Sequence, residues 1–373
     1  MNDSVLLPPF RRRRWSSPGL TPLQERVFDW AVRLLVVLMV GGWSVAVLDV
    51  HDRPSQMTPP VAPVSRTISS ALLDPRATSS AFITDAMLAF ADPLRGYSGA
   101  VHTAFRTPGE RLLEGKIDAR AVAQFEAETG EAVYSPDFSA PERPGIYRIA
   151  VQIEQARRAI ADLRLVTLVP ISARNEGRIG RYHIGVWPFE GSATDRGDRY
   201  APPVGFVEVT PENRSTPVSE HFRLGDFLTK GQADVWPKYL ILDPKLLDKL
   251  ELVIQDLKAQ GHRIEHVAVM SGFRTPTYNR AGGNVAGRAS LSRHMYGDAA
   301  DIFVDNDRNG WMDDLNGDGR TDTRDAEVIA QAAERVERKY PALVGGVGIY
   351  KACCGHGPFT HVDVRGYRAR WRE

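Results

Sequence analysis

Apolar residues recur along this chain at helical and at strand spacing, and one run follows neither period. From Leu34 to Leu48 (LLVVLMVGGWSVAVL) fifteen residues pass without a charge. Extended back to Ala31 the run is about 27 Å long as a helix, against a membrane core of roughly 30 Å. Arg33 is long enough to snorkel to the interface, and Trp30 and Trp43 suit interfacial positions. Arg11 to Arg14 precede the run, so the positive-inside rule places residues 1–30 in the cytoplasm and the rest outside. The pattern predicts a transmembrane anchor over 31–49. A signal peptide cleaved near Ser44-Val45-Ala46 is the other reading, although the region before it is long for an ordinary signal. Either reading exports the bulk of the chain. The expectation is a single-pass protein of a bacterial inner membrane with most of its mass in the periplasm.

Residues 50–97 are rich in Pro, Ser and Thr and read as an extended linker with a short helix over 81–93. Over 98–204 the spacing is β. PGIYRIAVQI (144–153) alternates after a Pro-Gly turn, LRLVTLVPI (163–171) is a second apolar run, and GRIGRYHIGVWP (177–188) gives a further strand. This predicts a small all-β domain, as an immunoglobulin-like sandwich or as an irregular β extension of the next domain. From 205 the character changes. LLDKLELVIQDLKAQG (246–261) has helical spacing and ends at a glycine, and AEVIAQAAERVERKY (326–340) is amphipathic. VAVMSGF (267–273), GGVGIY (345–350) and FTHVDVRG (359–366) read as strands. The predicted class is α+β: a C-terminal domain over 205–373 with a central antiparallel sheet, preceded by the β domain and the N-terminal helix.

Composition narrows the chemistry. Hydrophobic residues are 43% and charged residues 25%, as in ordinary globular chains. Lys and Arg number 47 against 46 acids, so no global basic field supports nucleic-acid binding. The two cysteines, Cys353 and Cys354, are adjacent, which excludes a disulfide scaffold and a Cys-rich zinc module. A bridge between neighbours needs a strained small ring, so free thiols, or pairing with another molecule, are expected.

Two segments carry metal-ligand chemistry. In SRHMYGDAADI (292–302), His294 is followed at the seventh position by Asp301, with Gly297, Ala299 and Ala300 small enough to let the backbone approach. In HGPFTHVDVRG (356–366), His361 lies on an alternating strand with Asp363 on the same face. His294, Asp301 and His361 make a two-histidine, one-carboxylate set with an open fourth position, the pattern of a catalytic zinc.

These segments, with MSGFRTPTYN (270–279), resemble the zinc D-alanyl-D-alanine carboxypeptidases and related murein endopeptidases, which share a metal-site core with the lysostaphin and hedgehog folds. The resemblance covers about 205–373. It implies zinc ligands His294, Asp301 and His361, a substrate carboxylate bound by Arg274, and His356 in the active site. Many relatives carry an acid three residues before the last ligand or a histidine two before it. Here those positions are Pro358 and Phe359. The proton carrier is then His356 or Asp363, with His356 favoured because Asp363 equally suits orienting a ligand histidine.

Residues 305–326 form an acidic insert. Asp314, Asn316, Asp318, Asp322 and Asp325, with Gly319 at the sixth place, follow calcium-loop spacing. Asp305, Asp307, Asn309 and Asp313 form an earlier overlapping copy. Calcium in one or both loops is expected to be structural. The expected function is zinc-dependent hydrolysis of D-amino-acid peptide bonds in peptidoglycan, with stem peptides as partners and the membrane contacted through the N-terminal helix. The alternative is a peptidoglycan-binding or envelope-assembly module that keeps the fold without turnover.

Overall fold

The computed structural model describes residues 101–112, 121–153, 156–191, 200–281 and 289–373. The expected anchor, its basic tail and the linker over 50–97 lie outside these residues. No helix among the described residues is long and apolar enough to cross a membrane.

The β-patterned region folds as one sheet. Strands β1 (His102–Arg106), β2 (Ala121–Ala127), β3 (Ala132–Ser135), β4 (Gly145–Ile153) and β5 (Ala156–Thr167) lie in the order β1-β5-β4-β2-β3. Neighbours are antiparallel except β1 with β5. Alternation sends Ala123, Phe125, Tyr147, Ile149, Val151 and Leu165 into one core. That core is closed by Leu112, Phe138 and Ala140 from connecting segments. Two facing sheets of immunoglobulin type therefore do not form among the described residues, because loop side chains already cover the apolar face. Ile146 and Val166, which point the other way, join a second and larger core.

That larger core also gathers Val169, Tyr182, Ile184 and Trp187 with residues beyond 205. It holds a three-stranded sheet of β6 (Val169–Pro170), β9 (Gly205–Val209) and β10 (Lys238–Leu240), and a small ladder of β7 (Arg178–Ile179) with β8 (Tyr182–His183). Helix α1 (Pro244–Ala259) starts at Asp243, whose carboxylate accepts from the Lys245 amide, and Gly261 follows its end with φ +90°. It buries Leu246, Leu250, Val253 and Leu257, the stripe expected from 3.6-residue spacing. Helix α2 (Pro276–Ala281) is short. Helix α3 (Thr323–Lys339) opens with a reciprocal cap between Asp322 and Asp325.

The central sheet of this half runs β11 (Val267–Ser271), β12 (Ala299–Val304), β14 (Phe359–Asp363), β13 (Gly346–Tyr350), β15 (Ala369–Arg372). All pairs are antiparallel except the outer β13–β15 pair. Ala300, Ile302, Val304, Val347, Ile349 and Val362 belong to the buried core beneath the helices. The strand period of two then puts Asp301, His361 and Gly348 together on the other face.

Candidate metal centre

His294 stands on a 3-10 turn, Arg293–Tyr296, that Gly297 ends at φ +72°. A side chain at Gly297 would run into the Ile241 carbonyl, 2.4 Å from the position a Cβ would take. Asp301 and His361 are directly paired across β12 and β14. Residues 60 positions apart meet because the sheet aligns them. All three are buried, at 2%, 3% and 6% exposure.

Their inward atoms form a triangle. Asp301 Oδ1 lies 3.2 Å from His294 Nε2 and 2.9 Å from His361 Nδ1, and the two ring nitrogens are 3.2 Å apart. Zinc–nitrogen bonds of about 2.0–2.1 Å place tetrahedral ligands roughly 3.3 Å apart, so the triangle is close to the required size. The outer atoms fix which proton goes where. His294 Nδ1 donates to the Gly272 carbonyl at 2.7 Å, and His361 Nε2 donates to Asp363 Oδ2 at 3.0 Å. Two imidazole lone pairs and a carboxylate oxygen are thereby turned on one another. Three acceptors in mutual contact need a cation or a trapped proton between them, and the donor set suits zinc.

The electrostatics of the metal-free protein say the same. Burial would raise the Asp301 carboxyl, but His294 and His361 outweigh it and hold it well below the usual carboxylate range. Burial depresses His294, with Arg274 adding to the effect. Burial would also depress His361, yet hydrogen bonds to Asp301 and Asp363 overcome it and raise this imidazole. Without metal, a proton on His361 fills the place a cation would take.

Asp363 is wholly buried. Besides His361 it accepts from Arg365 Nε at 2.8–2.9 Å and from the Gly346 amide at 2.7 Å. Burial would raise its carboxyl, but His361 and Arg365 hold it well below the ordinary range. A carboxylate so fully engaged behind the imidazole orients His361 and is badly placed to shuttle a proton. Arg274 is also turned toward the ligands: Nη2 reaches Asp301 Oδ2 at 2.6 Å and Nε reaches Ser271 Oγ at 2.8 Å. It steadies the ligand carboxylate, and at 8% exposure it is largely covered.

His356 is not in the triangle. Its Nδ1 donates to the Gly357 carbonyl at 2.8 Å, and its ring meets Phe359 edge-on at 5.2 Å. Phe359 in turn stacks on Tyr350 at 4.5 Å. The preceding cysteines are joined to each other, Cys353 to Cys354, in place of the expected free thiols. The turn that brings them together is closed by paired backbone bonds between Cys353 and His356, with Cys354 at φ +53°.

Trp371 escaped the sequence reading. It lies across β13, its ring 5.1 Å from that of His361 and its Nε1 donating to Tyr350 Oη at 2.8 Å. Gly348 makes the room, since a Cβ there would fall 2.3 Å from the indole. The glycines of GGVGIY were the available signal.

In the insert, Asp305, Asp307 and Asp313 come together, their carboxylates within 4.8 Å of one another. Asn309 and Gly310 donate backbone amides to Asp305. In the second loop Gly317 and Gly319 donate to Asp314, Asp318 to Asn316, and Leu315 to Asp325. Asp318 and Asp322 are also paired with Arg324, at 2.7 and 2.9 Å. Those two carboxylates therefore already have a cation.

Residues 231–315 match the family model described as Peptidase M15. The match takes in Arg274, His294, Asp301 and the first acidic loop and stops before His361, which the sheet supplies. It supports a zinc peptidase of the M15 family, a metallopeptidase type of function. No curated protein and no solved structure matches the chain.

Proposed function

We propose that this chain is a zinc-dependent peptidase acting on D-amino-acid peptide bonds of bacterial peptidoglycan, by carboxypeptidase trimming or endopeptidase cleavage. The observation that carries the reading is the buried His294–Asp301–His361 triangle, three acceptors 2.9–3.2 Å apart, each backed by a fixed partner. Zinc bound there would acidify a water and polarise the scissile carbonyl. The chain's own residues do the rest. Asp363 fixes the His361 tautomer, and the Gly272 carbonyl fixes that of His294. Arg274 holds Asp301 from behind. His356, with Nδ1 turned to the Gly357 carbonyl, is the residue this reading assigns to carry the proton to the leaving amine.

The alternative is a peptidoglycan-binding or envelope-assembly module with little or no turnover, favoured by Pro358 and Phe359 where related enzymes carry an acid or a histidine. The test is incubation of purified sacculi with the zinc-loaded protein, with and without chelator. Chelator-sensitive release of D-alanine or of split cross-links supports the enzyme. Retention on sacculi without products supports the module. We further place the protein in the inner membrane with its C-terminal part in the periplasm, and a C-terminal reporter active only in the cytoplasm would refute this. Calcium in the insert has a separate test: a calcium-dependent rise in melting temperature, lost in Asp318→Ala, with zinc retained. No such rise in the wild type would leave the insert as a plain acidic loop.

A further inference from the structure

The three metal ligands leave the β13 side of their triangle to other residues. His294 and Arg274 approach it from the β11 side, held by the Gly272 carbonyl and by Ser271 Oγ. On the β13 side the residue directly opposite His361 is Gly348, which has no side chain. Tyr350 stands two residues further along, directly opposite Phe359. Strand parity puts Tyr350 on the same face as Asp301 and His361. Its ring is stacked on Phe359, with centroids 4.5 Å apart and planes 6° from parallel, so the phenol is held in one plane.

Trp371 sets where the hydroxyl goes. From β15 its indole crosses the space over Gly348 and lies 5.1 Å from the His361 ring, while its Nε1 donates to Tyr350 Oη at 2.8 Å. Together these contacts limit the distance from the hydroxyl to the imidazole to about 10 Å. A carbonyl oxygen presented to the triangle needs its donor about 5 Å from the triangle's centre, inside that limit. An indole nitrogen only donates, so it occupies a lone pair of Oη and leaves the phenolic proton to be given elsewhere. Among the described residues the one hydrogen bond of Tyr350 Oη is the bond it accepts from Trp371. Burial pushes the phenol up to about 12, with Asp301 adding to the rise and Arg274 opposing it. The hydroxyl therefore keeps its proton at neutral pH and feels the charges of the metal face.

We propose that Tyr350 is a catalytic residue, its hydroxyl donating a hydrogen bond to the scissile carbonyl oxygen as that oxygen gains negative charge, with Trp371 as the residue that positions it. The inference rests on the peptidase reading and adds a donor to it. When water attacks the carbonyl carbon, the π pair moves onto oxygen, and the phenol meets that charge without giving up its proton. The hydrogen bond relaxes as the carbonyl re-forms and the amine leaves with the proton brought to it. A neutral donor fixed where charge develops stabilises the transition state more than the ground state. The indole N–H adds to this, because a hydroxyl that accepts one hydrogen bond donates a stronger one.

The test uses the zinc-loaded full-length chain, a synthetic stem pentapeptide ending in D-Ala-D-Ala, and its cross-linked dimer. A phosphinate analogue of the last two residues, whose tetrahedral P–O⁻ carries the charge of the transition state, reports binding without turnover. The variants are Tyr350→Phe, Trp371→Phe and the two together, each checked for zinc by metal analysis. Tyr350→Phe should lower kcat about 100-fold with KM within about twofold, and weaken the phosphinate about tenfold or more. Trp371→Phe keeps an aromatic ring beside His361 and should reproduce part of both losses. In the double variant it should add nothing, because it acts through Tyr350. Unchanged phosphinate affinity in Tyr350→Phe overturns the proposal whatever happens to kcat, and leaves the peptidase reading standing if the wild type cleaves. Losses that add in the double variant overturn the role given to Trp371. If the wild type cleaves neither peptide, the peptidase reading fails and the phosphinate decides: affinity that falls in Tyr350→Phe upholds the donor, and equal or undetectable affinity refutes it.

Discussion

Lys249 offers the sharpest test of how the sheet is held beneath the metal centre. It lies on α1, fully buried, with Nζ donating to Glu337 Oε1 at 2.6 Å and to the Asp363 carbonyl at 2.7 Å. Glu337 is 5% exposed and also accepts from the Gly345 amide and from Arg370. Lys249→Met removes one charge of a buried pair, a change that typically costs about 3–5 kcal/mol because the partner is left behind. Arg370 still compensates Glu337, which argues for the lower end. The unpaired Asp363 carbonyl adds about 1 kcal/mol or more. The sum, about 4 kcal/mol, corresponds to a fall in melting temperature of roughly 8–16 °C for a unit of this size. Adding Glu337→Gln removes the stranded charge while keeping an acceptor for Gly345. The double variant should therefore recover about half the loss. Calorimetry of the metal-free proteins decides the matter. A loss under about 1 kcal/mol in Lys249→Met, or simple additivity in the double variant, refutes the reasoning.

Three further outcomes follow from the centre itself. Asp363→Asn should weaken zinc binding about 10- to 100-fold without abolishing it, whereas His361→Ala should abolish it; full zinc retention by the latter under metal analysis would remove His361 from the site. Zinc affinity should rise with pH. Asp301 is held low and stays charged, and the depressed His294 is already neutral near pH 7, so the proton to be displaced sits on the raised His361. Competitive titration should show log affinity climbing by about one per pH unit until that proton is gone, then levelling; a flat profile from pH 6 to 8 would contradict it. Gly348→Ala should push the Trp371 indole off His361 and break its bond to Tyr350, seen as a shifted tryptophan emission with zinc still bound.

Local patterns in the chain carried much of the scaffold. The helices over 246–261 and 326–340 have strong 3.6-residue stripes, and they fold as Pro244–Ala259 and Thr323–Lys339. Both starts moved upstream because Asp243 and Asp322 act as caps. The mixed α+β class was legible for the same reason. What could not be read was anything decided by long-range pairing. Trp371 reaches His361 only because β15 joins β13 in parallel, and no local period encodes that register. Arg274 was read through the resemblance as a substrate ligand. Its contact with Asp301, 27 residues away, is a tertiary fact. Ile146 and Val166 looked like core of a separate β unit, yet their parity sends them to the far side of the sheet and into the larger core. The Cys353–Cys354 pairing depends on a turn geometry that adjacency alone argues against.

The distance in sequence between His294 and His361, 67 residues, has a bearing on the unfolded chain. A cation shared by both imidazoles acts as a removable cross-link that encloses β12, the acidic insert, α3 and β13 in one loop. Closing a loop of that length in advance removes about 4 kcal/mol of chain entropy from the denatured ensemble, on the model used for disulfides. Such a link is made and undone by metal supply and acidity, not by oxidants. Resistance to proteolysis across the whole loop should therefore follow the metal content of the compartment.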